Sequence, residues 1–432
     1  MNTNNGFKWR RHVSDVRISA AEVLFYGIII SLPFEFLSLK EGLSIPKLIG
    51  LIFLPVSLTN WKLFYGRLPK PIIAVLVFAG IGFIVDVCNC YYIDMSVFNE
   101  FIRPFFLWLL LLVAYNIALN NRFNRIILVF FVATQILAVY QCLELGGNTK
   151  VFEAVIDGEY GERIAALGGD PNSICVFISI GLLYSLVRGV NLVRTNMLFR
   201  LVCFISVAVC FYAILKTGSR GGLLAIMCGV ISLLFVRRGL LKQIAAGFII
   251  ICIVITMGIV VMKDSYIVAR FNAEKDRSEF VVGKGTDLEN VNTGGRFRIW
   301  EASWALICKS PVFGYGAIMH SIELGGILGT KTGTCVTHNI FISVLLTTGI
   351  SGFICFLYFC AKVFQSVWVY RTMDNGIIIF PWLVIIFVGG MTLNLEASKM
   401  FWIVTAMSLA LKGMNAKCQL IKDSVWREGP AK

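Results

Sequence analysis

Three short runs in this chain combine glycine-rich turns with residues able to handle anions and protons. The first is Lys216-Thr-Gly-Ser219-Arg220-Gly-Gly222. The second is Thr293-Gly-Gly-Arg296-Phe-Arg298-Ile-Trp300, and the third is Thr337-His338-Asn339. A glycine-rich turn that opens a helix leaves backbone N–H groups free, and the helix dipole favours negative charge there. An arginine at that point adds a planar fork that grips two phosphate oxygens. For Arg220 the competing reading is an interfacial arginine whose head group snorkels to water. Arg296 and Trp300 stand one turn apart on any helix that includes both, so they can face one cleft. A charged loop face with Trp300 as an interfacial anchor remains the alternative. Histidine accepts a hydroxyl proton near neutral pH, and His338 stands where a polar stretch re-enters apolar sequence. A helix-capping imidazole is the other reading of His338.

The elements that must carry these residues are apolar. Hydrophobic residues make up 57% of the 432-residue chain, and its mean hydropathy is +0.79. A soluble core cannot use that much apolar surface, whereas repeated spans of about 20 residues can. The chain therefore reads as one all-α polytopic membrane domain over 1–432, with about twelve transmembrane helices. The expected spans are Ile18–Leu37, Ile45–Trp61, Pro71–Val85, Pro104–Leu119, Ile126–Leu143, Asn172–Val187, Leu201–Leu215, Gly221–Val236, Ile244–Met262, Asn339–Phe364, Gly376–Gly389 and Ala397–Leu411. The last two are parted at Gly389-Gly390. Met1 to Arg17 is polar and basic, and the apolar stretch after it has no small-residue cleavage site, so the first span reads as an anchor.

Charge gives the orientation. The net charge of +14 looks at first like a nucleic-acid signal. However, about 22 of the 39 basic residues and only about four acids fall in every second connection, from Lys8, Arg10 and Arg11 to the C-terminal tail. The stretch from Glu144 to Asp170 holds six acids against two bases. The positive-inside rule then places both termini in the cytoplasm. It places the one large loop, residues 263–338 between the ninth and tenth spans, outside. All three motifs fall on that outer face.

Most of the thirteen cysteines lie inside apolar runs, where they behave as small hydrophobes. Cys88 and Cys90 lie just beyond a span, but too few Cys and His accompany them for a zinc site. No cofactor or metal is expected. An outward-facing site has no nucleoside triphosphate, so the energy of any transfer must arrive in the donor. Arginines can take the place of a metal when the leaving group is a lipid diphosphate, because they neutralise the developing charge. A sugar on a polyprenyl diphosphate meets both conditions.

At these residues the chain resembles the bacterial O-antigen ligase and O-antigen polymerase family. The resemblance rests on Thr217-Gly-Ser-Arg220-Gly-Gly, on Gly294-Gly-Arg296 with Trp300, and on Pro311 with Gly314-Tyr315-Gly316. It extends to His338-Asn339 followed by Gly349-Ile-Ser-Gly352, and to Arg163, Gly168 and Asp170-Pro-Asn172. Its core is residues 293–352. The resemblance implies a metal-independent, inverting glycosyl transfer at the outer face of the bacterial cytoplasmic membrane. The donor would be a glycan on undecaprenyl diphosphate and the acceptor a sugar hydroxyl. Carried over, Arg220 and Arg296 would bind the diphosphate, with Arg163 a secondary candidate for the same site. His338 would activate the acceptor, and Trp300, Tyr315 and Asn339 would shape the pocket. Lys216 matches no fixed position. The acceptor separates a polymerase, which extends a lipid-linked repeat unit, from a ligase, which transfers to lipid A core. By analogy with the family, the Asp170-Pro-Asn172 element and the modest size of the loop favour an exopolysaccharide or O-antigen polymerase. A lipid-glycan flippase or secondary transporter also uses about twelve spans, but such proteins usually show two related halves, and the large loop has no counterpart in the first six spans.

Overall fold

The computed structural model describes residues 18–36, 38–40, 43–89, 95–145, 150–156, 159–190, 197–236, 293–330 and 333–427. The expected ninth span, Ile244–Met262, lies outside the described residues, as do loop residues 263–292, Cys90 and the basic N-terminal segment.

The architecture is helical. In chain order the helices are α1 (Ala20–Ile30), α2 (Ile45–Leu58), α3 (Trp61–Tyr65), α4 (Lys70–Asn89), α5 (Met95–Ile117), α6 (Phe123–Leu143), α7 (Pro171–Val190), α8 (Met197–Thr217) and α9 (Arg220–Ser232). They continue as α10 (Thr293–Lys309), α11 (Met319–Leu328), α12 (Ile340–Tyr370), α13 (Gly376–Gly390) and α14 (Lys399–Arg427). Two short antiparallel hairpins sit in connections: β1 (Ser38–Lys40) with β2 (Leu43–Ser44), and β3 (Lys150–Ile156) with β4 (Glu159–Ile164).

Among the described residues six helices are long and apolar enough to cross a membrane: α4, the 99–120 stretch, α6, α7, α8 and α12. Four shorter apolar helices accompany them: α1, α2, the 220–235 stretch and α13. The expected first span is cut short for a local reason. Pro33 cannot continue an α-helix, and the chain passes into a 3-10 turn over Leu32–Phe36. The expected break at Gly389-Gly390 lies slightly later, since α13 includes both glycines and a connection with a 3-10 turn at Leu395–Ala397 separates it from Lys399.

Helices in a lipid-facing bundle gain little from hydrophobic exclusion and associate through close packing, often at small residues. Gly181 of α7 sits against Thr134 of α6, and Gly229 of α9 sits against Ile385 of α13. Trp382, Phe130, Phe356, Phe359 and Phe401 fill the centre and are fully buried.

Alternate connections converge at one end of the bundle, which positions the site. Glu35 of the first connection pairs with Lys399 at the start of α14. Asn89 at the end of α4 donates to the Tyr315 carbonyl (3.2 Å). Gly221 packs on Thr392. The opposite end is tied by Arg122 to Glu22 (2.6 Å) and by the Asn116 side chain to the Arg67 backbone (2.9 Å).

Candidate functional site

The Arg220 turn is built by its neighbours. Ser219 caps α9, its hydroxyl accepting from Gly222 N (3.0 Å). The same hydroxyl donates to Asn172 Oδ1 (2.7 Å) at the start of α7. Asn172 Nδ2 in turn donates to Asp170 Oδ1 (3.2 Å), and Asp170 Oδ2 accepts from Ser173 N and Ser173 Oγ (2.9 Å each). Asp170-Pro-Asn172 and the Arg220 turn, about 50 residues apart in sequence, therefore form one hydrogen-bonded unit. A side chain at Gly222 would collide with Cys175, so the two helix starts meet in close contact. Arg220 is half-buried, at the first position of α9. Lys216 is committed elsewhere: its ammonium reaches Glu144 (2.6 Å) and the Cys142 carbonyl (3.0 Å).

The second motif lies on α10, which begins at Thr293, so Gly294-Gly295 belongs to the helix and not to a turn before it. Arg296 is thus inside the helix, half-buried, with Trp300 one turn on along the same face, while Arg298 is exposed. Trp300 Nε1 donates to the Thr337 carbonyl (3.0 Å), which ties α10 to the residue before His338. Ile299, Leu306 and Ile307 of α10 pack with Leu324 of α11 and Leu346 of α12 in a small separate core.

The Pro311-to-Gly316 segment docks into a break in α12. Gly349 has φ +60° and ψ −163°, a combination essentially confined to glycine. The break frees backbone groups, and the loop takes them. Tyr315 N donates to Leu346 O and Gly316 N to Thr347 O (2.9 Å each). Ile350 N donates to Pro311 O (2.8 Å) and Ser351 N to Val312 O (3.2 Å). From Ile350 to Tyr370 the helix runs roughly 31 Å at 1.5 Å per residue, close to a hydrocarbon core of about 30 Å. The part of α12 after the break is thus long enough by itself to cross. Asp86 of α4 accepts from Ala317 N at the same level. His320 is buried, with Nδ1 on the Gly316 carbonyl (2.8 Å), and serves the docked loop.

His338 adopts φ +50°, a left-handed conformation uncommon outside glycine. Helix capping is done by its neighbour: Asn339 Oδ1 accepts from Phe341 N (2.9 Å) and Ile342 N (3.2 Å). The 391–398 connection holds the pair from behind. Asn394 Oδ1 accepts from Asn339 N (3.0 Å) and Thr337 Oγ1 (3.1 Å), and Asn339 Nδ2 donates to the Met391 carbonyl (3.4 Å). Among the described residues the half-buried His338 imidazole has no hydrogen-bond partner. Burial lowers its pKa below the usual 6.5, the Arg296 charge lowers it further, and Asp170 opposes both.

The structure thus places His338 within electrostatic reach of Arg296 and of Asp170, ties Trp300 to the Thr337 carbonyl, and joins Asp170 to the Arg220 turn through Asn172 and Ser219. Arg163 lies on β4, opposite Phe152, and its side chain is outside the described residues. Tyr315 is half-buried, with both main-chain groups engaged. Asn394 escapes the sequence reading entirely; its only local signal is a polar residue soon after a Gly-Gly pair. Among the described residues no group of three or more His, Cys, Asp or Glu is placed to hold a metal ion. A neutral imidazole beside one guanidinium, with a second guanidinium at a nearby helix start, can take a proton next to a bound anion.

These features define a helical membrane protein with a polar site where one end of its bundle meets the loops. Residues 205–357 match the O-antigen ligase family model. The match spans about a third of the chain and supports the O-antigen ligase family, and with it glycosyl transfer of the ligase or polymerase type in the cell envelope. It contains Arg220, Arg296, Trp300, Tyr315, His338, Asn339 and the Gly349 break. No curated protein matches the chain.

Proposed function

We propose that the protein transfers a glycan from undecaprenyl diphosphate to a sugar hydroxyl at the outer face of the bacterial cytoplasmic membrane. His338 removes the acceptor proton as the hydroxyl oxygen attacks the anomeric carbon. The bond from that carbon to the diphosphate breaks, and the lipid diphosphate leaves with the electron pair. Arg220 and Arg296 neutralise the charge that develops on it, with Arg163 a further candidate, so the step needs no metal. One in-line displacement inverts the anomeric centre. Trp300, Tyr315 and Asn339 shape the pocket around the reacting groups.

The observation that carries this reading is His338 itself. Its imidazole is kept neutral by burial and by Arg296, and its backbone is held in a left-handed conformation by neighbours that do the capping themselves. Strained backbone of this kind clusters at functional sites. The outward orientation is supported by the basic residues of the alternate connections. Polymerisation of lipid-linked repeat units is favoured over ligation to lipid A core, with the Asp170-Pro-Asn172 element as its support. Deleting the gene and resolving the surface glycan on a gel separates the two. Single repeats still attached to core, without polymer, identify a polymerase. Lipid-linked polymer accumulating beside bare core identifies a ligase, and an unchanged glycan profile removes the protein from this pathway.

A further inference from the structure

Asp170 lies outside the three motifs that carry the proposed chemistry, and outside the matched domain. Its environment is unusually well specified. Its backbone carbonyl accepts from Ile174 N (3.0 Å), making it the cap of α7. Its carboxylate accepts from Ser173 N, Ser173 Oγ and Asn172 Nδ2. Asn172 passes the connection on to Ser219, the residue that opens the Arg220 helix. Among the described residues the charged groups acting on the His338 imidazole are Arg296 from α10 and Asp170 from the start of α7, with opposite effects. Trp300, also on α10, reaches the neighbouring Thr337 carbonyl as a neutral donor. Glu396, in the connection behind, interacts with Ser343 and Arg103 instead.

We infer that Asp170 is a positioning residue for the transfer step, which rests on the base assignment of His338. Through Asn172 and Ser219 it braces the start of the Arg220 helix, and its negative charge opposes that of Arg296 at the imidazole. A base beside a diphosphate-binding arginine has a difficulty that this arrangement relieves. The guanidinium that stabilises the leaving group also disfavours the imidazolium that forms when the acceptor proton arrives. A carboxylate that also acts on the ring stabilises that imidazolium and need not touch the diphosphate. A cap alone needs no charge, because asparagine caps helices as well as aspartate does. The charge is therefore separable from the cap, while the Asn172 Nδ2 contact, which uses the second carboxylate oxygen, changes with it.

The test is Asp170→Asn in the full-length purified protein, with lipid-linked glycan extracted from cells lacking the gene as donor. The cap on Ser173 N is retained, so insertion and melting temperature stay close to wild type, and the displaced pH limb reads the charge apart from the altered Asn172 contact. We expect kcat to fall on the order of tenfold or more, KM for the donor to stay level or decrease, and the acid limb of the rate profile to move to lower pH. A wild-type kcat with an unmoved limb overturns the inference. Asp170→Glu keeps the charge but shifts it by one methylene, and covers the case in which Asp170→Asn inserts poorly. It is expected to lower kcat while retaining an acid limb, and a wild-type kcat overturns the positioning role. His338→Ala in the same assay separates the two claims. If that variant loses transfer while Asp170→Asn behaves as wild type, only the Asp170 inference falls; if it transfers at the wild-type rate, the base assignment falls first.

Discussion

Replacing Gly349 by alanine probes the joint between the membrane helix and the site. Its φ of +60° with ψ −163° is a region costing a non-glycine residue about 1–3 kcal/mol. The new Cβ would also collide with the Val312 carbonyl and lie 2.5 Å from Phe313 N, both backbone groups with no rotamer to move. Relief requires the docked loop to lift. That strains or breaks the bonds from Ile350 N to Pro311 O and from Ser351 N to Val312 O. Each such bond is worth about 1 kcal/mol net. Together the destabilisation comes to roughly 3–5 kcal/mol. Because α10 and the first part of α12 rest on this joint, transfer should fall along with stability. Reversible unfolding in mixed micelles, with the transfer rate measured on the folded fraction, checks both. A loss below about 1 kcal/mol with transfer intact would refute the claim that the Gly349 break holds the site-bearing loop.

Three further outcomes follow from the site. Arg220→Lys and Arg296→Lys keep the charge but lose the bidentate fork, so most activity should go, and the alanine variants should lose nearly all of it with insertion unaffected; full activity in Arg296→Ala would remove that residue from the site. In the wild type the base must be neutral, so the rate should fall with decreasing pH through the His338 pKa. Burial and Arg296 hold that pKa below 6.5, so the acid limb should lie beneath that value, and a limb above it would contradict the environment described. A reporter active only outside the cytoplasm should be active when fused near Lys284 and silent at Arg194, Arg238 or Lys417; the reverse pattern would put the site in the wrong compartment.

Hydropathy locates most of the helices to within a few residues. Pro171–Val190 and Met197–Thr217 contain the expected spans Asn172–Val187 and Leu201–Leu215, because a 20-residue apolar run has few other stable solutions in a bilayer. The three motifs were legible for the same kind of reason: glycine pairs, arginines and a histidine are conspicuous against apolar sequence. Their joining was not. The Asn394 side chain reaches Asn339 N across 55 residues, and nothing local to either residue encodes that bond. Gly349 sits inside an apolar run where a glycine carries only a small helix penalty, so the break there depends on a loop that docks from elsewhere. Gly294-Gly295 reads as a turn yet lies within α10. Propensity is a weak prior that the packing of Ile299, Leu306 and Ile307 outweighs.

The central claim is that His338 is the base and the arginines hold the donor. Single-turnover transfer by purified His338→Ala, with lipid-diphosphate donor and no added metal, tests it most directly. General-base assistance is worth about 10² to 10⁴ in rate. The account predicts a loss of that order with donor affinity unchanged, because the diphosphate contacts come from Arg220 and Arg296. A His338→Ala protein that transfers at the wild-type rate would contradict it.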